Sequence, residues 1–448
     1  MSDQPMIIAP LVLGSKASSE HLMQLLAPAG KLLGSQAEFA QPVQITIEDA
    51  GTLLGPRIGK CDAIAIAAPL TVPDYAPIIA GLGKPVMLLE PFCAFHPYQA
   101  TARTALERED AVVLPTDSPE AIVASVQAMA ARRDLLSSTA LFFVAEPEKH
   151  ADLARAAHAR LGVKVEIRDV DELKQETRRT SEAAAVDTLA GWKENKISRI
   201  VDVTDKHLVE VARLYHAEKN LLKRHNAAAL GVEEFSPFLF QKLPMPNATY
   251  ALLKDEGIVC TEEADLGCLL TQLVWKIATG LQNTMSNIYM AYRSEFENKP
   301  DGAEYTHEME LADYRECLRD NCVVVSHFST AGSLPRNMMA EDKWEIRETK
   351  GAWPGQSMVY STPRRGPVTL TRFSDSFQEL DAYPGEVADV RKHDHLHWYT
   401  CRWMVRLASA RRFVETAINH HYAIAPGHPD AVLRTLASKL LGVRIREY

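Results

Sequence analysis

No apolar run in this 448-residue sequence approaches the ~20 residues a helix needs to span a bilayer. The opening MSDQPMIIAPLVLG carries no basic stretch of the kind that begins a secretory leader. Cysteine is sparse: seven residues, at 61, 93, 260, 268, 317, 322 and 401, with no CxxC pair and no regular spacing. That argues against a disulfide framework and favours a reduced compartment, so the cytoplasm is the expected location. Basic residues are the minority, 49 against 58 acidic, giving a formal net charge of −9. A nucleic-acid binder needs a basic face to neutralise phosphates, so the charge argues against nucleic acid as a partner, as the lack of a spanning run argues against a membrane. Phosphate-binding signatures are missing too. No GxGxxG follows a strand, no GxxxxGK[ST] occurs, and the nearest candidate turn, Gly14-Ser15-Lys16, lacks the later glycines of a dinucleotide fingerprint.

What is present is globular: 46% hydrophobic and 24% charged residues, in a chain long enough for two or three domains. Met6–Leu13, Val43–Ile47, Ala63–Ala68, Pro85–Leu89 and Ala111–Leu114 read as buried strands. Helical patterns such as Ser19–Leu33 lie between them, and Glu120–Arg132 follows. A second alternating round places strands at Leu141–Val144, Val163–Ile167 and Ile200–Val203, with helices at Ala151–Leu161 and Lys206–Lys223 and a break near Arg133–Ser137. Alternation of this kind implies βαβ units. From Trp344 the texture becomes short alternating segments, Trp344–Glu348, Ser357–Ser361 and Val368–Phe373, suggesting an antiparallel sheet or small barrel. Helical texture returns at Trp403–Ile418 and Pro429–Leu441, before a last strand at Val443–Glu447.

Three places carry candidate chemistry. Cys260-Thr-Glu-Glu-Ala-Asp-Leu-Gly267 sets three carboxylates at the head of a Leu-rich helix that Gly280 stops. Helix-dipole complementarity explains part of that cluster, but three acids in four residues exceed what a cap requires. His420-His421-Tyr-Ala-Ile-Ala-Pro-Gly-His428 bridges the last two helical stretches, and a buried imidazole there needs a partner, of which a metal is one. His327 ends the β-branched run Cys322-Val-Val-Val-Ser326 where a loop begins. The alternation His393, His395, His397 would share one face of a strand, but Asp394 and the flanking Arg391-Lys392 read as a solvated loop.

Together these segments resemble the L-fucose isomerase family and, more distantly, the L-arabinose isomerases. The likeness is strongest over Val259–Tyr292 and Val414–Val443, with a weaker link at His327. Glu263-Ala-Asp265 running into a helix that ends Ala-Thr-Gly280 matches the family segment supplying the first metal-binding carboxylate, which makes Glu263 the ligand. His421 falls on the C-terminal histidine ligand, and His327 sits where arabinose isomerases place an additional one. The resemblance implies an α/β chain of two Rossmann-like doubly wound domains, 1–134 and 135–285, and a third, 286–448, containing an antiparallel β-barrel. It also implies a homo-oligomer, trimer or hexamer, with Mn²⁺ or a similar divalent ion and a small sugar as substrate.

The sequence departs from the pattern at one ligand. The family's second carboxylate aligns with Asn287 in Met285-Ser-Asn-Ile-Tyr289. An asparagine can coordinate a hard cation through its carbonyl oxygen, but brings no charge and cannot act as a base. Weaker metal binding, replacement by Asp265 or Glu262, and altered chemistry are the three readings that follow. With Glu263 as ligand and base, and Asn287, His421 and His327 completing the sphere, the implied reaction is aldose–ketose interconversion through an enediol. The alternative is a sugar-binding member of the same superfamily that has lost turnover or changed its chemistry.

Overall fold

The computed structural model describes residues 4–14, 19–47, 58–67, 72–89, 98–233, 243–263, 265–289, 304–306, 309–310, 319–327, 333–348, 355–393 and 400–448. They divide into two compact units, Met1–Asp134 with Asp430–Val443, and Leu135–Pro429 with Arg444–Tyr448.

In the first unit a parallel sheet is built from β1 (Met6–Leu13), β2 (Ala37–Phe39), β3 (Val43–Ile45), β4 (Ala63–Ala67), β5 (Val86–Leu89) and β6 (Val113–Thr116). Its order is β2-β1-β4-β5-β6, with β3 also on β1. Strands with both faces covered lose polar alternation, and β1 and β4 are accordingly near-continuous apolar runs. Helices α1 (Ser19–Leu33), α2 (Val72–Ala80), α3 (Tyr98–Arg108) and α4 (Pro119–Leu136) connect or follow these strands.

The second unit begins with β7 (Thr139–Val144), α5 (Ala151–Leu161) and β8 (Lys164–Asp169), followed by α6 (Val170–Arg179), α7 (Glu182–Asn195), β9 (Ile197–Val201) and α8 (Asp205–Arg224). Next come β10 (Ala229–Val232), α9 (Asn247–Asp255), β11 (Val259–Thr261) and α10 (Leu266–Thr279). The parallel sheet runs β11-β10-β7-β8. The strand expected around Ile200 exists as β9 but does not join it.

The remaining strands are β12 (Thr284–Tyr289), the pair β13 (Glu304–Thr306) and β14 (Met309–Glu310), β15 (Cys322–Ser326), β16 (Trp344–Glu348), β17 (Ser357–Val359), β18 (Gly366–Phe373), β19 (Glu379–His393), β20 (Thr400–Leu407), β21 (His421–Pro426) and β22 (Arg444–Glu447). β9 pairs in parallel with β16, which pairs with β17, so the segments at 344 and 357 form a separate three-stranded sheet. The barrel is the antiparallel ring β18-β21-β12-β15-β20-β19, closed by β18 on β19, with β22 added in parallel to β19. Closure removes the edges that an open sheet would expose.

Two expected helical stretches are corrected. Trp403 lies inside a strand: β20 is covered on both faces, and even Arg402 is wholly buried, so the alternation that marks a strand is erased. Helix appears only afterwards, as α11 (Ala410–Thr416). The later stretch is shorter than expected, a helix at Ala431–Thr435 followed by a π turn at Leu436–Leu440. Among the described residues no helix is long and apolar enough to cross a membrane.

Candidate metal centre

Three sequence-distant segments of the second unit meet at one point. The first is the turn between β11 and α10. All ten residues from Leu266 to Trp275 are buried, and α10 lies against β18, β21 and β12. Asp265 caps its N-terminus, with Cys268 N–H donating to Oδ1 at 2.8 Å, and Gly280 ends it in a left-handed conformation. Glu263 is itself left-handed, at φ +60°. That conformation costs a residue with a side chain roughly 1–2 kcal/mol. It also breaks the strand-like alternation that would send neighbouring side chains to opposite faces, so Glu262 and Glu263 reach the same imidazole from two sides.

That imidazole is His327, just beyond the end of β15 and wholly buried. Its Nδ1 lies 2.6 Å from Glu262 Oε2, and its Nε2 lies 2.9 Å from Glu263 Oε1. The third segment is the start of β21. The sequence pattern places His421 in a loop between helices, but it begins a strand that pairs with β12, His421 opposite Asn287. Ile288 N–H donates to His420 O at 2.9 Å, His421 N–H to Asn419 Oδ1 at 3.1 Å, and Ile418 N–H to Tyr422 Oη at 3.1 Å, which fixes the register. His421 Nε2 lies 2.8 Å from Glu263 Oε2, and Nδ1 bonds Asp265 Oδ2 at 3.1 Å.

Glu263 therefore bridges two imidazoles, and each imidazole is backed at Nδ1 by a different carboxylate. Both backing carboxylates are held in turn. Asn247 Nδ2 donates to Glu262 Oε1 at 3.1 Å, while Asn247 Oδ1 accepts from Val359 N–H at 2.9 Å. Arg372 Nη1 donates to Asp265 Oδ2 at 2.7 Å and to His421 O at 3.3 Å. A Cβ at Gly267 would come within 3.1 Å of Arg372 Nη2, so the missing side chain there leaves the guanidinium its place.

Electrostatics follow from this geometry. Burial alone would raise the Glu263 and Asp265 carboxyls. His327 and His421 overcome it at Glu263, holding that carboxyl well below the ordinary range. His421 and Arg372 overcome it at Asp265, holding it down to about 2. Burial disfavours charge on His327, but Glu262 and Glu263 outweigh it and push the imidazole well above its usual value. His421 is raised for the same reason by Asp265 and Glu263. The site is thus one where two rings must carry positive charge, or an ion must supply it.

One ligand atom from each of Glu263, His327 and His421 lies within 4.8 Å of the other two, the span of a small ion's coordination sphere. This set of two imidazoles and one carboxylate fits a divalent first-row ion. His421 Nε2, though close to Glu263, makes no aligned hydrogen bond, while Nδ1 is engaged elsewhere. Glu262 and Asp265 lie behind the rings, not at the meeting point. Asn287 stands next to the centre on β12, paired across to His421 on one side and to Ser326 on the other. Its Nδ2 donates to Tyr289 Oη at 3.0 Å, and its Oδ1 is buried with no partner among the described residues. His393 ends β19, and His395 and His397 lie outside the described residues. Sequence reasoning missed Arg372 and Asn247. Arg372 follows Val368-Thr-Leu-Thr371, and the period-2 alternation puts it on the face of Val368 and Leu370, so the signal of a buried arginine was there to be found.

No protein-family model matches the chain, and no curated protein does. Among solved structures it is similar to the crystal structure of an ABC sugar transporter, a periplasmic sugar-binding protein from Legionella pneumophila. The identity is 13%, over 62% of this chain and 97% of that one, with a TM-score of 0.17, which carries no argument.

Proposed function

We propose that this chain is a divalent-metal-dependent aldose–ketose isomerase acting on a small monosaccharide, of the kind the L-fucose isomerases represent, with Mn²⁺ as its ion. The observation that carries the reading is the convergence of Glu263, His327 and His421, from segments about sixty and ninety residues apart in sequence, on one buried point. A hard cation bound there would polarise a sugar carbonyl as a Lewis acid. The chain's own residues supply the rest. Glu262 has Asn247 on one oxygen and His327 at the other, and Asp265 is engaged by Cys268 N–H, Arg372 and His421. Both lie behind the rings, whereas Glu263 stands between them at the meeting point. Movement of a proton between C1 and C2 through an enediol is therefore assigned to Glu263. Asn287 Oδ1, buried and unpartnered, accepts from a substrate hydroxyl or joins the ligand sphere.

A second reading is favoured by the neutrality of Asn287: a sugar-binding protein with the same centre and no turnover. Assaying the Mn²⁺-loaded chain and its Glu263→Gln variant against a panel of aldoses and ketoses decides between them. Isomerisation in the parent, lost in the variant, is expected. Sugar-dependent heat of binding with no product from any panel member would establish the second reading instead.

A further inference from the structure

Two polar atoms beside the metal centre are left over by the fold. Ser326, the last residue of β15, is wholly buried, yet its Oγ has no hydrogen-bond partner among the described residues. Asn287 Oδ1 is in the same position one strand away. We infer that these two atoms read one hydroxyl of the substrate sugar, beyond the oxygens that the ion would hold, and that Ser326 is a specificity-determining residue. The inference deepens the proposed function and rests on it for the identity of the ligand.

Strand register puts the pair on the face of the site. Asn287 on β12 stands opposite Ser326 on one side and His421 on the other. Residues directly opposite in antiparallel strands send their side chains to the same face. Ser326, Asn287 and His421 therefore form a row across three strands, in steps of about 4.8 Å. His327, which reaches Glu263, follows Ser326 immediately, so both ends of the row adjoin the centre. The opposite face belongs to the core, where Val325, Tyr422 and Ile424 pack. Leaving a buried hydroxyl or amide oxygen unbonded costs more than an ordinary hydrogen bond gains, so such atoms persist where something else satisfies them. Asn287 Nδ2 is already spent on Tyr289 Oη, so the amide offers the row an acceptor, while the serine hydroxyl offers a donor. A cation would use the amide oxygen and leave the serine proton unused. A carboxylate would accept from the serine and give the amide oxygen nothing. A sugar hydroxyl accepts from one and donates to the other. A site that hydrogen-bonds a substrate hydroxyl rejects the analogue lacking it far more strongly than an apolar pocket rejects a missing methylene.

The test is Ser326→Ala, read in three ways. In metal-free protein the urea midpoint should not fall, because the lost hydroxyl bonds nothing in the fold. Mn²⁺ affinity by calorimetry should be unchanged, since Ser326 stays out of the ion's shell. In the Mn²⁺-loaded proteins the common aldopentoses and aldohexoses serve as calorimetric probes, followed by the monodeoxy analogues of the one bound best. Affinity for that sugar should drop about 2–10-fold in the variant, the worth of one neutral hydrogen bond. One monodeoxy analogue, lacking the hydroxyl that Ser326 reads, should bind both proteins equally. A lower urea midpoint would assign the serine hydroxyl to the fold or to a fixed water, and overturn the inference. So would a loss of Mn²⁺ affinity, or monodeoxy analogues that all lose as much as the parent sugar. Wild type that binds Mn²⁺ but no aldose overturns it too, and leaves the metal centre standing. If wild type binds no Mn²⁺, the metal reading fails by itself, and the same sugar titrations without the ion decide the role of Ser326. Sugar that is bound and never turned over defeats the isomerase reading alone.

Discussion

Glu218 offers a prediction that depends on a single group. It lies on α8, is wholly buried, and neither carboxylate oxygen has an aligned hydrogen-bond partner among the described residues. The nearby Thr249 hydroxyl counteracts burial only weakly, since it donates to Pro246 O. Burial therefore pushes this carboxyl well above its ordinary value. The titratable neighbours, Tyr215 on the same helix and Cys260 on β11, are also held protonated by burial and bring no positive charge. In the unfolded chain the carboxyl ionises near pH 4.5, whereas in the folded chain it keeps its proton to higher pH. Below that point both states bind the proton, and ionisation of Glu218 contributes nothing to stability. Above it the unfolded state alone gains from ionisation, so stability falls by about 1.4 kcal/mol per pH unit until the folded value is reached. Glu218→Gln preserves shape and does not titrate. Its stability relative to wild type should therefore rise with that slope from pH 4.5 upward. All six tryptophans lie between positions 192 and 403, within the second unit, so fluorescence-detected urea unfolding reports on the unit that contains Glu218. A difference between the two proteins that stays flat from pH 4.5 to 8 would refute the argument.

Other expectations are simpler. Saturating Mn²⁺ at about 100 times its Kd should stabilise the second unit by about 2.7 kcal/mol, and His421→Ala should remove that gain in the same unfolding assay. Asn287→Asp, placing a charge beside His421, should tighten Mn²⁺ binding about tenfold by calorimetry, roughly 1.4 kcal/mol. An unchanged affinity would show that residue 287 stays out of the ligand sphere. Gly280→Ala meets nothing within 4 Å, so strain at φ +74° alone should cost about 1 kcal/mol. Gly162→Ala adds a Cβ against the Leu136 side chain at φ +75°, and urea unfolding should show a larger loss.

Much of this architecture is legible in the sequence. Met6–Leu13, Ser19–Leu33 and Ala151–Leu161 begin and end where their apolar patterns do, because each is bounded by a turn residue or a change of period. Elements failed where tertiary contacts erased the local signal. β20 hides a buried arginine, and β9 resembles a Rossmann strand although its partner, β16, lies over a hundred residues downstream. The same division holds at the site. Glu263, His327 and His421 belong to segments whose side-chain chemistry stands out in sequence. That Glu262 and Asp265 back the rings depends on which ring atom each one faces, and no spacing encodes that. The alternation puts Arg372 on the buried face, but its partner Asp265 and the glycine beside it, Gly267, lie more than a hundred positions earlier, and no local pattern links them.

The pairing of β21 with β12 has a consequence of its own. His420 and His421 are chemically identical, yet one is exposed and the other buried at the centre, and only strand register distinguishes them. Successive residues of a strand face opposite ways, so a shift of one position would present His420 in place of His421 and turn every later side chain of β21 inside out. Tyr422 and Ile424, now in the core, would exchange faces with Ala423 and Ala425. The doublet thus behaves like a message with a reading frame. Asn419, the Ile418–Tyr422 bond and the Ile288–His420 bond are its punctuation, and an insertion or deletion of one residue between Ala417 and His420 is a frameshift written in hydrogen bonds instead of codons.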